Sequence, residues 1–91
     1  MTPIKILIVD NELSSAQDLQ TRLLKLGYEV IGTATTSAEA VKKSVKLKPN
    51  LILMNTRLRT GNDGIKTGTL IHSSHNIPII YISSQAGQDT M

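Results

Sequence analysis

The chain lacks cysteine, tryptophan and phenylalanine, and its only aromatic residues are two tyrosines. Without cysteine, a disulfide framework, a thiol nucleophile and a thiolate metal site are excluded. So few aromatic rings leave little surface on which nucleic-acid bases could stack. The longest apolar runs are far shorter than the about 20 residues that span a bilayer, and the first residues lack a secretory layout. These absences favour a cytoplasmic protein that binds neither membranes nor nucleic acid.

Size and charge set further limits. Ninety-one residues suffice for one small domain, which we predict to span residues 1–91. The formal charge of +3 is weak evidence for an acidic partner, although one segment carries several lysines: Lys42, Lys43, Lys46 and Lys48. Nucleic acid could bind there, but a solvated helix face with a Glu39–Lys43 ion pair is the favoured interpretation.

Segments with the periodicity of strands alternate with segments that have the periodicity of helices. Residues 4–9 predict a strand, and the continuous apolar run at 51–54 predicts a central strand covered on both faces. Residues 28–34 are partly β-branched and roughly alternating, which indicates a strand nearer the sheet edge. Residues 77–82 predict a fourth strand, with a proline near its start. This alternation is typical of an α/β fold with a parallel sheet.

Two of the three intervening segments differ in helical strength. Residues 12–26 predict an amphipathic helix that Gly27 can end. Its apolar residues recur at steps of three and four: Leu13, Ala16, Leu19, Leu23 and Leu26. Residues 65–74 predict a poor helix with Gly68 inside it, which packing must stabilise.

The remaining helix has a clear start signal. Thr36 and Glu39 form a capping-box pattern, in which the hydroxyl accepts from the third helical amide and the carboxylate reaches back. Pro49 marks the end of this helix. Three of its apolar residues are expected to face inward: Ala38, Val41 and Val45.

Polar residues follow two of the predicted strands. Asp10 and Asn11 follow the first strand, and Asn55 follows the third. Because ligands collect beyond the carboxyl ends of strands in an open parallel sheet, we expect these residues to converge. Three carboxylates there would suit a hard cation and phosphoryl transfer, whereas one acid and two amides keep hydrogen bonding and lose most of the charge. Taken alone, such residues form only a hydrogen-bonded polar cluster.

Four segments, in order, resemble the signatures of the response-regulator receiver domain: residues 6–12, 49–55, 63–65 and 77–83. The resemblance covers nearly the whole chain. It implies a flavodoxin-like, doubly wound α/β fold with strand order 2-1-3-4, in which the family's fifth strand and last helix are absent. It also implies a module of two-component, phosphorelay signal transduction and not an enzyme. The expected partner is a histidine kinase or another signalling protein.

The resemblance also assigns positions to the site. In that family an aspartate ending the third strand accepts a phosphoryl group, and the matching residue here is Asn55, whose neutral amide is not a competent nucleophile. The family's acidic pair matches Asp10 and Asn11, with Glu12 following. Its magnesium contacts match Asp10, Asn55 and the backbone carbonyl of Arg57. Asp10 alone should hold Mg²⁺ poorly, so we expect no cofactor and no phosphorylation.

The same comparison bears on the end of the chain. Ser83 matches the family's switch hydroxyl, although it could equally be a helix cap beyond the fourth strand. The lysine and aromatic residue that complete the family's switch belong to the fifth strand. Without that strand, residues 79–82 would present an apolar edge that invites pairing with a second chain, so a homodimer is a further expectation.

Several alternatives stay open from the sequence. The chain could be an active phosphoacceptor whose acid is altered or replaced; Glu12 is a poor candidate because it follows the wrong strand. It could also be a remnant without a partner. His72 and His75 lie about one turn apart and could share a metal. Surface histidines are the favoured interpretation because no third ligand is evident.

Overall fold

Four short strands form a parallel sheet flanked by three helices. The computed structural model describes residues 3–56 and 63–82. The elements along the chain are β1 (Lys5–Val9), α1 (Leu13–Lys25), β2 (Glu29–Ala34), α2 (Ser37–Leu47), β3 (Leu51–Asn55), α3 (Asp63–His75) and β4 (Ile79–Ile82). The strand order is β2-β1-β3-β4, and all three pairs are parallel. The predicted fold and strand order are confirmed; residues 83–91, where the chain was predicted to lack a fifth strand, lie outside the described residues.

The sheet is covered on both faces, as a doubly wound fold requires. Helix α1 packs on one face, where Ala16 joins a buried cluster with Ile6, Ile8 and Leu53. Helices α2 and α3 cover the other face with a larger cluster: Leu7, Val9, Ala34, Ala40, Ile52, Met54, Ile71 and Ile77. Because β1 and β3 lie inside the sheet and are covered on both sides, residues 6–9 and 51–54 within them are continuous apolar runs. None of the described helices has the length and hydropathy of a bilayer-crossing segment.

Helix α1 lies where it was predicted and is one residue shorter at each end than the predicted range of residues 12–26. Gly27 follows the helix with φ of 95°, a left-handed conformation that glycine adopts without strain. Ala16 is buried, and Leu19 and Leu23 pack partly buried against the sheet. Leu13 and Leu26 are exposed, so the regular spacing extended the predicted apolar face one step too far at each end of the helix.

Helix α2 begins at the predicted cap. The Thr36 hydroxyl accepts from the Glu39 amide at 3.2 Å, and the Glu39 carboxylate accepts from the Thr35 amide at 2.8 Å. The predicted Glu39–Lys43 ion pair is present at 3.3 Å. The prediction for the inward face was partly wrong, because Ala38 is exposed and Val45 is 50% exposed. The residues that replace them against the sheet and α3 are the small Ala40 and Ser44, both buried.

Helix α3 and strand β4 contact each other through a glycine. Helix α3 begins at residue 63, two residues before its predicted start at residue 65. Strand β4 begins at residue 79, two residues after its own predicted start at residue 77. A side-chain carbon added at Gly68 would lie 2.4 Å from the Tyr81 hydroxyl. The missing side chain therefore makes room for the tyrosine ring, and the Tyr81 hydroxyl donates to the Ile65 carbonyl at 3.3 Å. This contact supplies the packing that the weak α3 pattern requires.

Candidate functional site

The carboxyl ends of β1 and β3 bring Asp10 and Asn55 together. Asp10 follows β1, and its backbone amide donates to the Ala34 carbonyl of β2 at 2.9 Å. Asn55 ends β3. Both are largely removed from solvent, with 9% and 2% of their surfaces exposed. The expected convergence of these two residues is confirmed.

In the contact between the two side chains, the Asn55 amide is the donor and the Asp10 carboxylate is the acceptor. Asn55 Nδ2 donates to Asp10 Oδ1 at 3.1 Å, and the backbone amide of Glu12 donates to the same oxygen at 3.0 Å. Among the described residues, every buried side-chain nitrogen or oxygen has a hydrogen-bond partner. The Asp10 carboxylate is therefore stabilised from within the chain by N–H donors.

The neighbouring predicted residues lie differently. Asn11 is exposed. Glu12 precedes the first turn of α1, and its carboxylate accepts from the Ser15 hydroxyl at 2.6 Å, so it points along the helix surface. Arg57 and Ser83 lie outside the described residues, and their proposed magnesium and switch roles stay predictions. The roles assigned to Asn11 and Glu12 stay predictions as well.

A cavity of about 230 Å³ opens beside the Asp10–Asn55 pair, between α1 and the strands β3 and β4. Its lining residues are Ile8, Val9, Asp10, Ser15, Asp18, Leu19, Arg22, Leu53, Asn55 and Ile82. Sequence reasoning missed Ser15, Asp18 and Arg22. Their spacing of three and four residues places them on one face of α1, which was the available signal. Arg22 Nε lies 3.3 Å from Asp18 Oδ2, an exposed pair that contributes little stability.

The first turn of α3 packs very closely against the backbone of Asn55 and Thr56. A side-chain carbon added at Gly64 would lie 1.9 Å from the Asn55 carbonyl oxygen and 2.8 Å from Thr56 backbone atoms. Only glycine permits so close an approach of helix to strand. Gly64 thus fixes the position of the backbone that carries Asn55.

The described residues offer a cation little charge. No group of three or more His, Cys, Asp and Glu side chains in this part of the chain could hold a metal ion. At the site itself, Asp10 brings a carboxylate and Asn55 brings a neutral amide. At the other end of the sheet, His72 Nδ1 lies 3.1 Å from the Ile77 carbonyl oxygen, so that ring already has a polar contact. Weak Mg²⁺ binding stays a prediction.

The comparisons of this chain with known proteins agree on one family. The family model described as the response regulator receiver domain matches residues 6–91. The phyllosphere-induced regulator PhyR of Methylorubrum extorquens is 36% identical over 81 residues, which cover 88% of this chain and 30% of that protein. The chemotaxis protein CheY of Thermotoga maritima is 36% identical over 89 residues, which cover 96% of this chain and 72% of CheY.

Solved structures show the same likeness. The anti-anti-sigma factor PhyR from Bartonella quintana superposes with a TM-score of 0.85 at 30% identity, covering 93% of this chain and 35% of that one. The same factor in complex with the anti-sigma factor NepR superposes with a TM-score of 0.81 at 32% identity, covering 87% and 33%. The chain therefore spans about a third of the PhyR proteins that it matches.

Proposed function

Because the chain belongs to the response regulator receiver domain family, we propose that it acts in two-component signalling through protein–protein contacts and without aspartyl phosphorylation. The observation that carries this proposal is the buried amide of Asn55, which donates to Asp10. Asn55 is the residue that we assign to the family's phosphoacceptor position. Asp10, Asn11 and Glu12 are assigned to its acidic positions, and Ser83 to its switch hydroxyl.

The chemistry of the amide supports the absence of phosphorylation. A carboxylate attacks phosphorus because it carries a full negative charge, whereas the amide oxygen is neutral. The Asn55 N–H group also supplies positive polarity next to Asp10, where two carboxylates would require a cation between them. Since Mg²⁺ favours charged oxygens and loses its waters reluctantly, we propose that this site binds Mg²⁺ weakly and uses no cofactor.

The class of partner is proposed from the relatives. One PhyR structure contains the anti-sigma factor NepR, and the matched relatives are named as a regulator and a chemotaxis protein. We carry over the class of partner and not its identity, since the chain covers only 33% of that PhyR chain. The partner is then a histidine kinase or another cytoplasmic signalling protein, and the chain is a regulatory module and not an enzyme.

Treatment with a small phosphodonor tests the proposal. The 91-residue chain is incubated with acetyl phosphate and Mg²⁺, and its intact mass is measured. We expect no phosphoryl adduct. The Asn55→Asp variant is the matched control, because it restores a carboxylate at the same position and should acquire the adduct.

A phosphoryl adduct on the unmodified chain that hydroxylamine removes, as it removes an acyl phosphate, would contradict the proposal. Fragment masses would then locate the acceptor, and an adduct on Glu12 would favour the alternative in which a nearby acid replaces the usual one. The present position of the Glu12 carboxylate, hydrogen-bonded to Ser15, gives that alternative no support.

A homodimer through the β4 edge is a second proposal about partners. Among the described residues, β4 pairs with β3 along one edge only. Ile80 is 51% exposed there, and Tyr81 is also exposed. Unpaired backbone groups beside apolar side chains are a template for strand addition. We propose that a second copy of the 91-residue chain pairs at this edge.

A further inference from the structure

The outer edge of β2 lies at the opposite side of the sheet from β4. In the described sheet β2 pairs with β1 only. The Ala34 carbonyl points toward β1, because it accepts from the Asp10 amide at 2.9 Å. In a trans peptide the C=O and N–H groups point in opposite directions, and successive strand residues alternate. The Thr33 carbonyl and the Thr35 amide therefore point away from β1, toward the outer edge.

Two side chains of α2 bind these two outward-pointing groups. Lys43 Nζ donates to the Thr33 carbonyl. Glu39 Oε1 accepts from the Thr35 amide at 2.8 Å, and the other carboxylate oxygen lies 3.3 Å from Lys43 Nζ. The Glu39–Lys43 ion pair, which the sequence predicted as part of a solvated helix face, thus connects two backbone groups at the edge of the sheet.

The arrangement has the hydrogen-bonding pattern of a neighbouring strand. In a parallel ladder, one residue of the neighbouring strand donates its N–H to a carbonyl and accepts with its own C=O from the amide two residues further along. At the β2 edge these two groups belong to Thr33 and Thr35. Lys43 supplies the donor and Glu39 supplies the acceptor. The ion pair therefore takes the place of one residue of a further parallel strand.

The remainder of the β2 edge is irregular. Ile6 is paired with Val30 and Leu7 with Gly32, so the register between β1 and β2 passes over Ile31. Such a bulge increases the local twist and interrupts the regular spacing of backbone groups that a further strand requires. The register between β3 and β4 shows no such shift, and the β4 segment contains no charged residue. The two edges of the described sheet therefore differ.

We propose that the Glu39–Lys43 pair blocks the β2 edge against strand pairing with another chain. An incoming strand must break the contacts of the ammonium and carboxylate groups before it can bind Thr33 and Thr35, and a lysine at a strand edge opposes such pairing. Stability alone is a weak reason for the pair, because side chains that are 34% and 40% exposed form ion pairs of little energy. The block directs strand pairing to the opposite edge.

Light scattering of the 91-residue chain with Lys43→Met tests the proposal. The change is made together with Ile80→Lys, which places a charge on β4, so that the association measured does not depend on the homodimer proposed above. We expect the mass to rise with concentration. The matched control is Lys42→Met in the same background, because Lys42 is exposed on α2 and points in a different direction. Lys43→Met should associate about tenfold more tightly than this control.

Two further measurements separate a block at the edge from other roles of Lys43. Lys43→Arg keeps a charged donor and should behave as the control does. In the associated Lys43→Met chain, hydrogen exchange should slow at the outward-facing amide of Thr33. Equal association of Lys43→Met and Lys42→Met would overturn the proposal, as would protection from exchange away from β2. Loss of the folded circular dichroism spectrum in Lys43→Met would also overturn it, because the lysine would then be required for folding.

Discussion

At the scale of single residues, Asn55 determines the electrostatics of the candidate site. Its amide donates to Asp10 Oδ1, which also accepts from the Glu12 backbone amide. In this arrangement the negative charge of Asp10 is stabilised by two N–H donors of the chain itself. A carboxylate at position 55 would reverse the polarity of this contact and place two acids within hydrogen-bond distance in a buried place.

Replacing Asn55 with Asp should therefore make stability depend on Mg²⁺. Without the metal, we expect Asn55→Asp to lower the free energy of unfolding by roughly 1–3 kcal/mol, because a buried donor is lost and like charges face each other. Adding Mg²⁺ should restore part of this loss, since a ligand that binds the folded state stabilises it. Urea denaturation with and without Mg²⁺ measures both effects.

The matched control for this change is Asn50→Asp. Asn50 is exposed, and its Oδ1 accepts from the Lys5 amide at 2.8 Å. An aspartate can still accept there, so we expect little loss and no response to Mg²⁺. Equal unfolding curves for Asn55→Asp with and without Mg²⁺ would show that a second carboxylate does not create a cation site here.

The sequence predicted the positions of some residues in and near this site and did not predict those of others. The meeting of Asp10 and Asn55 was predictable, because carboxyl ends of parallel strands share one edge of the sheet. The roles of Gly64 and Gly68 were not, since each depends on the distance between α3 and a strand in the folded chain. Sequence spacing contains no information about such an approach. The glycine in the α3 pattern appeared only as a weakness of the helix.

At the scale of elements, the sequence of α2 predicts where the helix begins and leaves open which of its faces is buried. The cap was predictable because it involves residues three positions apart. The buried face was misplaced because Val45 and Ala38 fit the helical period nearly as well as Ala40 and Ser44 do. Small residues lie inside here because α2 packs closely on the sheet and α3; Ser44 is accommodated there because its hydroxyl donates to the Ala40 carbonyl at 2.7 Å.

The cap of α2 also predicts a pH dependence of stability. The Thr35 backbone amide donates to Glu39, and Lys43 lies beside it, so the pKa of Glu39 is lowered from its ordinary value of 4.5. A lowered pKa stabilises the fold at pH above 4.5, and this contribution is lost as the pH falls through the folded-state pKa. The Glu39 side chain is 40% exposed, so solvent screening should keep the effect below about 1 kcal/mol.

The Glu39→Gln variant measures this contribution. Glutamine keeps an acceptor for the Thr35 amide and cannot ionise. We expect the unmodified chain to be more stable than the variant at neutral pH, and the difference to shrink as the pH falls below 4.5. Unfolding free energies of both chains across this range give the difference directly. A difference that stays constant with pH would mean that the charge of Glu39 does not stabilise the cap.

At the scale of the whole molecule, β4 is the least enclosed strand. Strand β1 has a neighbour on each side, and β3 lies between β1 and β4. In the described residues β2 and β4 each have one neighbour, and the two middle residues of β4, Ile80 and Tyr81, are both exposed between two half-buried ones. The sequence predicted an apolar edge at residues 79–82, and Ile80 and Tyr81 are exposed in the described part of the chain. That no fifth strand covers this edge stays a prediction. The sequence of residues 79–82 does not determine which strand pairs with this edge, because any strand with complementary side chains can pair there.

Solution mass measured by light scattering across a concentration series, with and without Mg²⁺, tests pairing at β4. We expect the mass of the 91-residue chain to rise toward that of a dimer in both conditions, because strand addition does not involve Asp10. Ile80→Lys should keep the chain monomeric, since a charge on an edge strand opposes pairing. The matched control is Ile4→Lys, because Ile4 is similarly exposed at 47% and lies outside β4. A monomer at every concentration would contradict the homodimer, and loss of the dimer in both variants would place the contact elsewhere than at the β4 edge.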